Sequence, residues 1–153
     1  MTSTWSVTVP GTPVGKGRPR ALQVDMRTLR MRTPEKTRRW ERMAATLMGH
    51  SWRGAPLAGP VHLLVRATFA RPGRLTCSHR RQPCSCPQEV LEGRPEPHTS
   101  PPDLDNVLKA AADALQLAHV IEDDRMISAI TATKVYAAVD EEPGVRVTLE
   151  WGE

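Results

Sequence analysis

The sequence predicts an α+β fold: a single domain over 1–153 in which a mixed β-sheet is packed by two main helices, in the order β-α-β-insert-α-β-β. Three observations carry this. The chain has 153 residues, which is one domain's worth. Two segments repeat apolar side chains at helical spacing, and the segments around them alternate apolar with polar or are rich in β-branched residues. Hydrophobic residues make up 39% and charged ones 25%, which supports a modest core and excludes a fully disordered chain. No internal repeat is found.

Trp5, Val7 and Val9 alternate with Ser6 and Thr8, so the chain opens as a strand that Pro10-Gly11 ends. Gly11 to Arg20 reads as a loop, punctuated by glycine and proline. Thr33-Pro34-Glu35 reads as a helix start, with Thr33 as cap and Pro34 in the first position. Trp40, Met43, Ala44 and Leu47 form its apolar stripe, and Gly49 is expected to close it. After a turn at 54–60, Val61, Leu63, Val65, Ala67 and Phe69 mark a second strand. Val107, Leu108, Ala111, Ala112 and Leu115 predict a second helix beginning near Asp105 or Asn106. Residues 127–139 favour a strand, and Val145, Val147, Leu149 and Trp151 another, with Asp140 to Gly144 as the hairpin turn between them. Trp5, Trp40 and Trp151 lie on apolar faces and belong to the core, and His119, between apolar residues, is expected to be packed.

The net charge of +4 is unevenly spread. Residues 1–39 hold nine Lys or Arg against two acids, whereas residues 103–153 hold four against eleven. A basic arm and an acidic end suit a protein that grips a polyanion while gathering carboxylates; internal ion pairing would produce the same gradient. The longest apolar run, Val135 to Val139, is far short of the roughly 18 residues a membrane span requires. The N-terminus lacks the order of a secretory signal, so a cytoplasmic location with reduced thiols is expected.

Asp103 and Asp105 flank Leu104 just before the second helix. An extended backbone there would aim both carboxylates the same way and Leu104 into the core. Converging carboxylates repel unless a cation lies between them, and oxygen-only ligation favours Mg²⁺ or Mn²⁺. Glu122-Asp123-Asp124 follows the helix, where a chain turned back toward the helix start could bring a third carboxylate. A divalent ion held there would lower the pKa of a bound water, and Lys109, four residues beyond Asp105, could stabilise charge on a scissile phosphate. The same residues also read as a plain helix cap, Asp105, with its i+4 ion-pair partner, Lys109.

The stretch from Pro102 to Leu115, PDLDNVLKAAADAL, followed by Val120-Ile121-Glu122-Asp123-Asp124, resembles the signature of RusA-type Holliday junction resolvases. Gly15-Lys16-Gly17-Arg18-Pro19-Arg20 and Thr33-Pro34-Glu35-Lys36-Thr37-Arg38 resemble the loop and first helix of phage and Gram-positive members. The resemblance implies a homodimeric, Mg²⁺-dependent endonuclease, with Mn²⁺ as a possible substitute and no nucleotide cofactor, that cuts four-way DNA junctions by paired incisions. The family's catalytic carboxylates match Asp103, Asp105 and Asp124, and its catalytic lysine matches Lys109. Lys134 falls where members often carry a lysine, here a second-tier phosphate contact. Lys16, Arg18, Arg20, Arg27, Arg30, Arg32 and Lys36 would neutralise backbone phosphates, giving salt-sensitive affinity.

Residues 71–102 depart from this pattern, with seven prolines, all three cysteines and no apolar periodicity. Cys77, His79, Cys84 and Cys86 could close a Cys₃His zinc site that staples the loop; free thiols in an insertion are the other account. Arg71, Arg74, Arg80, Arg81 and Arg94 would add phosphate contacts. Two rivals to a nuclease are a junction-binding protein without catalysis and a zinc-stabilised interaction module. The intact acids and Lys109 disfavour the first, and the second predicts unfolding on chelation.

Overall fold

A computed structural model describes residues 1–23, 29–72 and 93–152, with the backbone alone at residues 20, 22, 23 and 29–31. Its elements are β1 (Thr2–Pro10), β2 (Arg20–Gln23), β3 (Leu29–Arg32), α1 (Glu35–Ser51), β4 (Val61–Phe69), β5 (Glu96–Pro97), α2 (Leu104–Leu117), a 3₁₀ turn (Asp124–Met126), β6 (Ile127–Tyr136) and β7 (Gly144–Gly152). Five strands form one mixed sheet in the order β1-β7-β4-β6-β5, and β2 pairs with β3 as a separate ribbon. The α+β class with two helices on a mixed sheet therefore holds.

β4 alternates because one face is buried: Val61, Leu63, Val65, Ala67 and Phe69 face the helices, while His62, Leu64 and Arg66 face away. β6 runs parallel to β4, from Val61 opposite Ile127 to Phe69 opposite Tyr136, so the chain between them must cross over, and α2 lies in that crossover. The expected β6–β7 hairpin is not formed. β7 passes beyond β4 and pairs antiparallel with both β4 and β1, a central position that buries Val145, Val147 and Leu149 completely. A hairpin with β6 would have given it one ladder and left β1 without a partner.

α1 buries Thr37, Trp40, Ala44, Ala45 and Met48 and runs through Gly49 to Ser51. Met43, expected in the stripe, is 41% exposed, because the buried face is centred one residue later. Pro34 precedes the helix with no side-chain cap bond, so Thr33 does not fill that role. Past its end, Trp52 packs edge-on between Trp5 and Trp151, with ring centroids 5.6 Å apart in both pairs. α2 buries Val107, Ala110, Ala111, Ala114 and Leu115, and its alanines let α1 approach closely.

α2 closes with a left-handed residue. His119 has φ +55°, its N–H donates to the Gln116 carbonyl at 3.0 Å, and the Val120 N–H donates to the Leu115 carbonyl at 3.0 Å. This is the Schellman arrangement, with Val120 and Leu115 both fully buried beneath it. His119 itself is exposed, contrary to the packed position expected from its apolar neighbours. Among the described residues no helix is long and apolar enough to cross a membrane.

Candidate active site

The start of α2 carries the two acids of the sequence motif. Asp103 is the N-cap in extended conformation, but its carboxylate makes no cap bond; only its carbonyl accepts, from the N–H groups of Asn106 and Val107 at 3.2 Å. Helix begins at Leu104, so Asp105 stands in the first turn and is not the cap, and the extended Asp-Leu-Asp segment expected from sequence is replaced by helix. Lys109 donates to the Asp105 carboxylate at 3.1 Å, and that bond holds the Asp105 carboxyl below its ordinary pKa. Both side chains are more than 60% exposed, and an exposed i,i+4 pair adds only about 0.3–0.5 kcal/mol to a fold. Folding therefore gives little reason for this charge set.

The backbone around these acids is held from two sides. Lys134, on the helix side of β6, donates to the carbonyls of Ser100 and Pro102, both at 2.8 Å, which fixes the segment entering α2. The Gly15-Lys16-Gly17 loop lies against the other side, its Lys16 N–H donating to the Asn106 carbonyl at 2.8 Å. A Cβ on Gly15 would stand 2.7 Å from Cβ of Pro102, and one on Gly17 would stand 2.7 Å from Cγ of Pro34. Glycine is required there by close approach rather than by a special φ. The buried Thr37 hydroxyl completes the clamp, donating to the Gly15 carbonyl at 3.3 Å and accepting from the Gly17 N–H at 3.1 Å.

The basic residues divide into groups. The Lys16 ammonium forms an ion pair with Asp113 of α2, and Glu41 stands beside them, its carboxyl raised by burial and then by the neighbouring Asp113. Lys134 is likewise committed to backbone carbonyls. Arg18 and Lys36 are exposed, and Arg32 lies 3.7 Å from Glu35. Arg27 lies outside the described residues, as do the side chains of Arg20 and Arg30 and the whole Cys77, His79, Cys84, Cys86 set with Arg74, Arg80 and Arg81. Arg71 takes a structural position: 7% exposed, it donates to the carbonyls of Arg94 and Ala137 at 2.7 and 3.0 Å and pairs with Glu96 at 3.4 Å.

Asp124 opens the 3₁₀ turn before β6, and Asp123 caps that turn by accepting from the Arg125 N–H at 3.1 Å. These acids stand at the far end of α2. Leu57, just ahead of β4, donates to Val120 and accepts from Glu122, which places this segment at the starting end of β4 and β6, whereas Lys134 and Pro102 lie toward their finishing end. α2, with 14 residues, spans about 21 Å between the two acidic groups. The expected return of the chain to the helix start does not occur within one subunit, and no group of three or more metal-ligating side chains forms among the described residues.

Two residues near the site escaped sequence reading. Thr37 sits three positions before Trp40 on the buried stripe, a spacing that signals burial but not its bonds to the loop. His98 is 8% exposed, stacked on Phe69 with centroids 3.9 Å apart and close to Tyr136 at 4.6 Å; burial, and then Lys134, push its pKa down. Nothing in its proline-rich surroundings marked it.

The family model for endodeoxyribonuclease RusA matches residues 10–150, a span that takes in the glycine loop, both helices and both acidic groups. The chain belongs to the RusA endodeoxyribonuclease family. It is also 29% identical over 143 residues to an uncharacterized protein, YqaN, of Bacillus subtilis (strain 168), covering 93% of this chain and 92% of that one. RusA membership points to an endonuclease of the Holliday-junction-resolving kind, acting on branched DNA.

Proposed function

We propose that the protein is a homodimeric resolvase that makes paired, symmetric incisions in four-way DNA junctions with Mg²⁺, or Mn²⁺ in its place. The observation that carries this reading is the exposed, uncapped Asp103 and Asp105 beside Lys109, on a helix start clamped by Lys134 and the Gly15–Gly17 loop, in a chain of the RusA family.

The donor set fits a hard divalent cation, since it is oxygen-only and Asp105 is kept ionised by Lys109. Asp103 and Asp105 of one subunit would hold the ion with Asp124 of a second copy, because α2 keeps Asp124 away from the other two within one chain. The bound ion supplies Lewis acidity and a water of lowered pKa. The chain's own residues do the rest. Lys109, hydrogen-bonded to Asp105 in the absence of DNA, exchanges that partner for a non-bridging oxygen of the scissile phosphate and stabilises its developing charge. Arg18, Lys36 and the other cations of the arm bind flanking phosphates and orient the strand. Lys16 and Lys134 act earlier in the chain of causes: they fix the backbone on which Asp103 and Asp105 stand. Paired cuts follow from twofold symmetry.

The test is incubation of a synthetic four-way junction with Mg²⁺ and either the wild type or Asp105→Asn. Symmetric nicking by the wild type, abolished by the substitution while junction binding persists, is expected. Equal cutting by both proteins would reject the assigned site.

A further inference from the structure

We infer that the sheet face turned away from the helices holds an oxyanion site, in which Arg146 and Arg66 grip a tetrahedral phosphate group between the hydroxyls of Thr8 and Thr133. It lies apart from the clamped helix start and does not depend on the nuclease reading.

The sheet register puts these four side chains in one row. Arg66 of β4 stands directly opposite Arg146 of β7, Thr8 of β1 is opposite Arg146 on its other side, and Thr133 of β6 is opposite Arg66. Alternation sends all four to the face that the helices leave open, since their neighbours Val65, Ala67, Val145 and Val147 are buried in the core. Like charges directly opposite one another destabilise a sheet. Arg66 is compensated: both of its terminal nitrogens donate to Glu141, and that pairing holds the Glu141 carboxyl below its ordinary range. Arg146 is not. It is exposed and makes no ion pair or hydrogen bond with any described residue. The acid of its own strand, Glu150, pairs with His62 at 3.3 Å and stands four residues along β7, about 13 Å away. Folding alone gives no reason for the second arginine.

The surroundings suit an anion of phosphate size. Leu64, Arg66, Thr131, Thr133, Arg146 and Thr148 line a hollow of about 220 Å³, room for a phosphate group and several waters, and none of them is an acid. Thr131 is taken by His62 at 2.9 Å and Thr148 by Ser6 at 2.9 Å, whereas the hydroxyls of Thr8 and Thr133 bond to no described residue. Those two can donate outward. A guanidinium presents paired N–H groups that match two phosphate oxygens, so one oxyanion between Arg146 and Arg66 turns a repulsive pair into a bridged one. Inorganic phosphate and the phosphodiester of a nucleic-acid strand share this chemistry.

The experiment uses the full chain without Mg²⁺. Inorganic phosphate and, separately, a short single DNA strand without terminal phosphates are titrated into wild type, Arg146→Gln and Thr133→Val, with ionic strength held constant by chloride. Amide NMR of β4, β6 and β7 locates binding, and circular dichroism verifies folding. In chloride alone Arg146→Gln should melt higher than the wild type, because the cross-strand repulsion is gone. The ligand that binds should raise the wild-type Tm and leave that of Arg146→Gln where it was. Shifts centred on Arg66, Thr133 and Arg146 are expected with at least one ligand. Both variants should bind it more weakly, Arg146→Gln by at least about tenfold, the worth of one charge-assisted contact. Shifts with phosphate alone assign the site to the free ion, and shifts with the strand assign it to phosphodiesters. An Arg146→Gln protein that melts lower than the wild type in chloride, as an acid of residues 73–92 paired with Arg146 would give, overturns the site. So do equal binding by Arg146→Gln and the wild type, or no shift on these strands with either ligand.

Discussion

The two ends of α2 use the same helix for opposite purposes. Its C-terminal end closes its own last turn: two 3.0 Å backbone bonds between local groups, over the buried Leu115 and Val120, satisfy it. Its N-terminal end leaves the Asp103 carboxylate without a cap bond, exposes Asp105 and Lys109, and borrows its rigidity from Lys134 of β6 and from the glycine loop thirteen residues after the start of β1. A helix end built for stability spends its polar groups internally. One built for chemistry keeps its charges outward and has its backbone immobilised by others.

That contrast can be broken by substitutions that should separate cleavage from stability. The largest effect is expected for Asp103→Asn or Asp124→Asn, each lowering junction cleavage by more than about a hundredfold with little change in Tm. Mixing the two inactive variants sharpens the test. In a heterodimer, one site would combine an intact Asp103 with an intact Asp124, so nicking of one strand should return; continued inactivity of the mixture would place all three acids within one chain. At the other end, Leu115→Ala should cost about 2–5 kcal/mol in denaturant unfolding while the residual folded protein still cuts. Gly15→Ala should cost less, about 1–3 kcal/mol, because its methyl meets Pro102, but it should lower cleavage out of proportion to that loss. The smallest effect is expected for His119→Gly, a gain of up to about 1 kcal/mol from relief of the left-handed backbone, with cleavage unchanged.

A pH comparison bears on the same division. Glu41 has a raised carboxyl pKa, caused first by burial and then by Asp113. Its contribution is full below the ordinary carboxylate range and declines as pH rises through the folded value. The Tm of the wild type relative to Glu41→Gln should therefore fall between pH 4 and pH 7. A difference independent of pH would contradict this.

The sequence showed the fold class, both helices and three of the long strands because each leaves a period, Trp5-Val7-Val9, Val61 to Phe69 and Val145 to Trp151 at two and Val107 to Leu115 at helical spacing, while β6 showed through its β-branched composition. Strand order left no such trace. Val145, Val147 and Leu149 alternate alike in a hairpin or between β1 and β4, so the placement of β7 depends on which pairing buries more. The four-residue β2 and β3 and the two-residue β5 are too short to carry a pattern. At the site, the acids, Lys109 and the glycine loop were legible as residue types at set spacings. The carbonyl partners of Lys134, the hydroxyl bridge of Thr37 and the pairing of Lys16 with Asp113 were not, because each joins segments that only the tertiary fold brings together.

Arg71 ties together the two points between which residues 73–92 run in sequence. By holding the carbonyls of Arg94 and Ala137, with Gly93 at φ +61° accepting from the Val139 N–H at 3.1 Å, the chain is knotted to itself where residues 73–92 leave and rejoin it. With both ends of that interval tied to the sheet, a short tag inserted between them should leave the Tm of the whole protein unchanged.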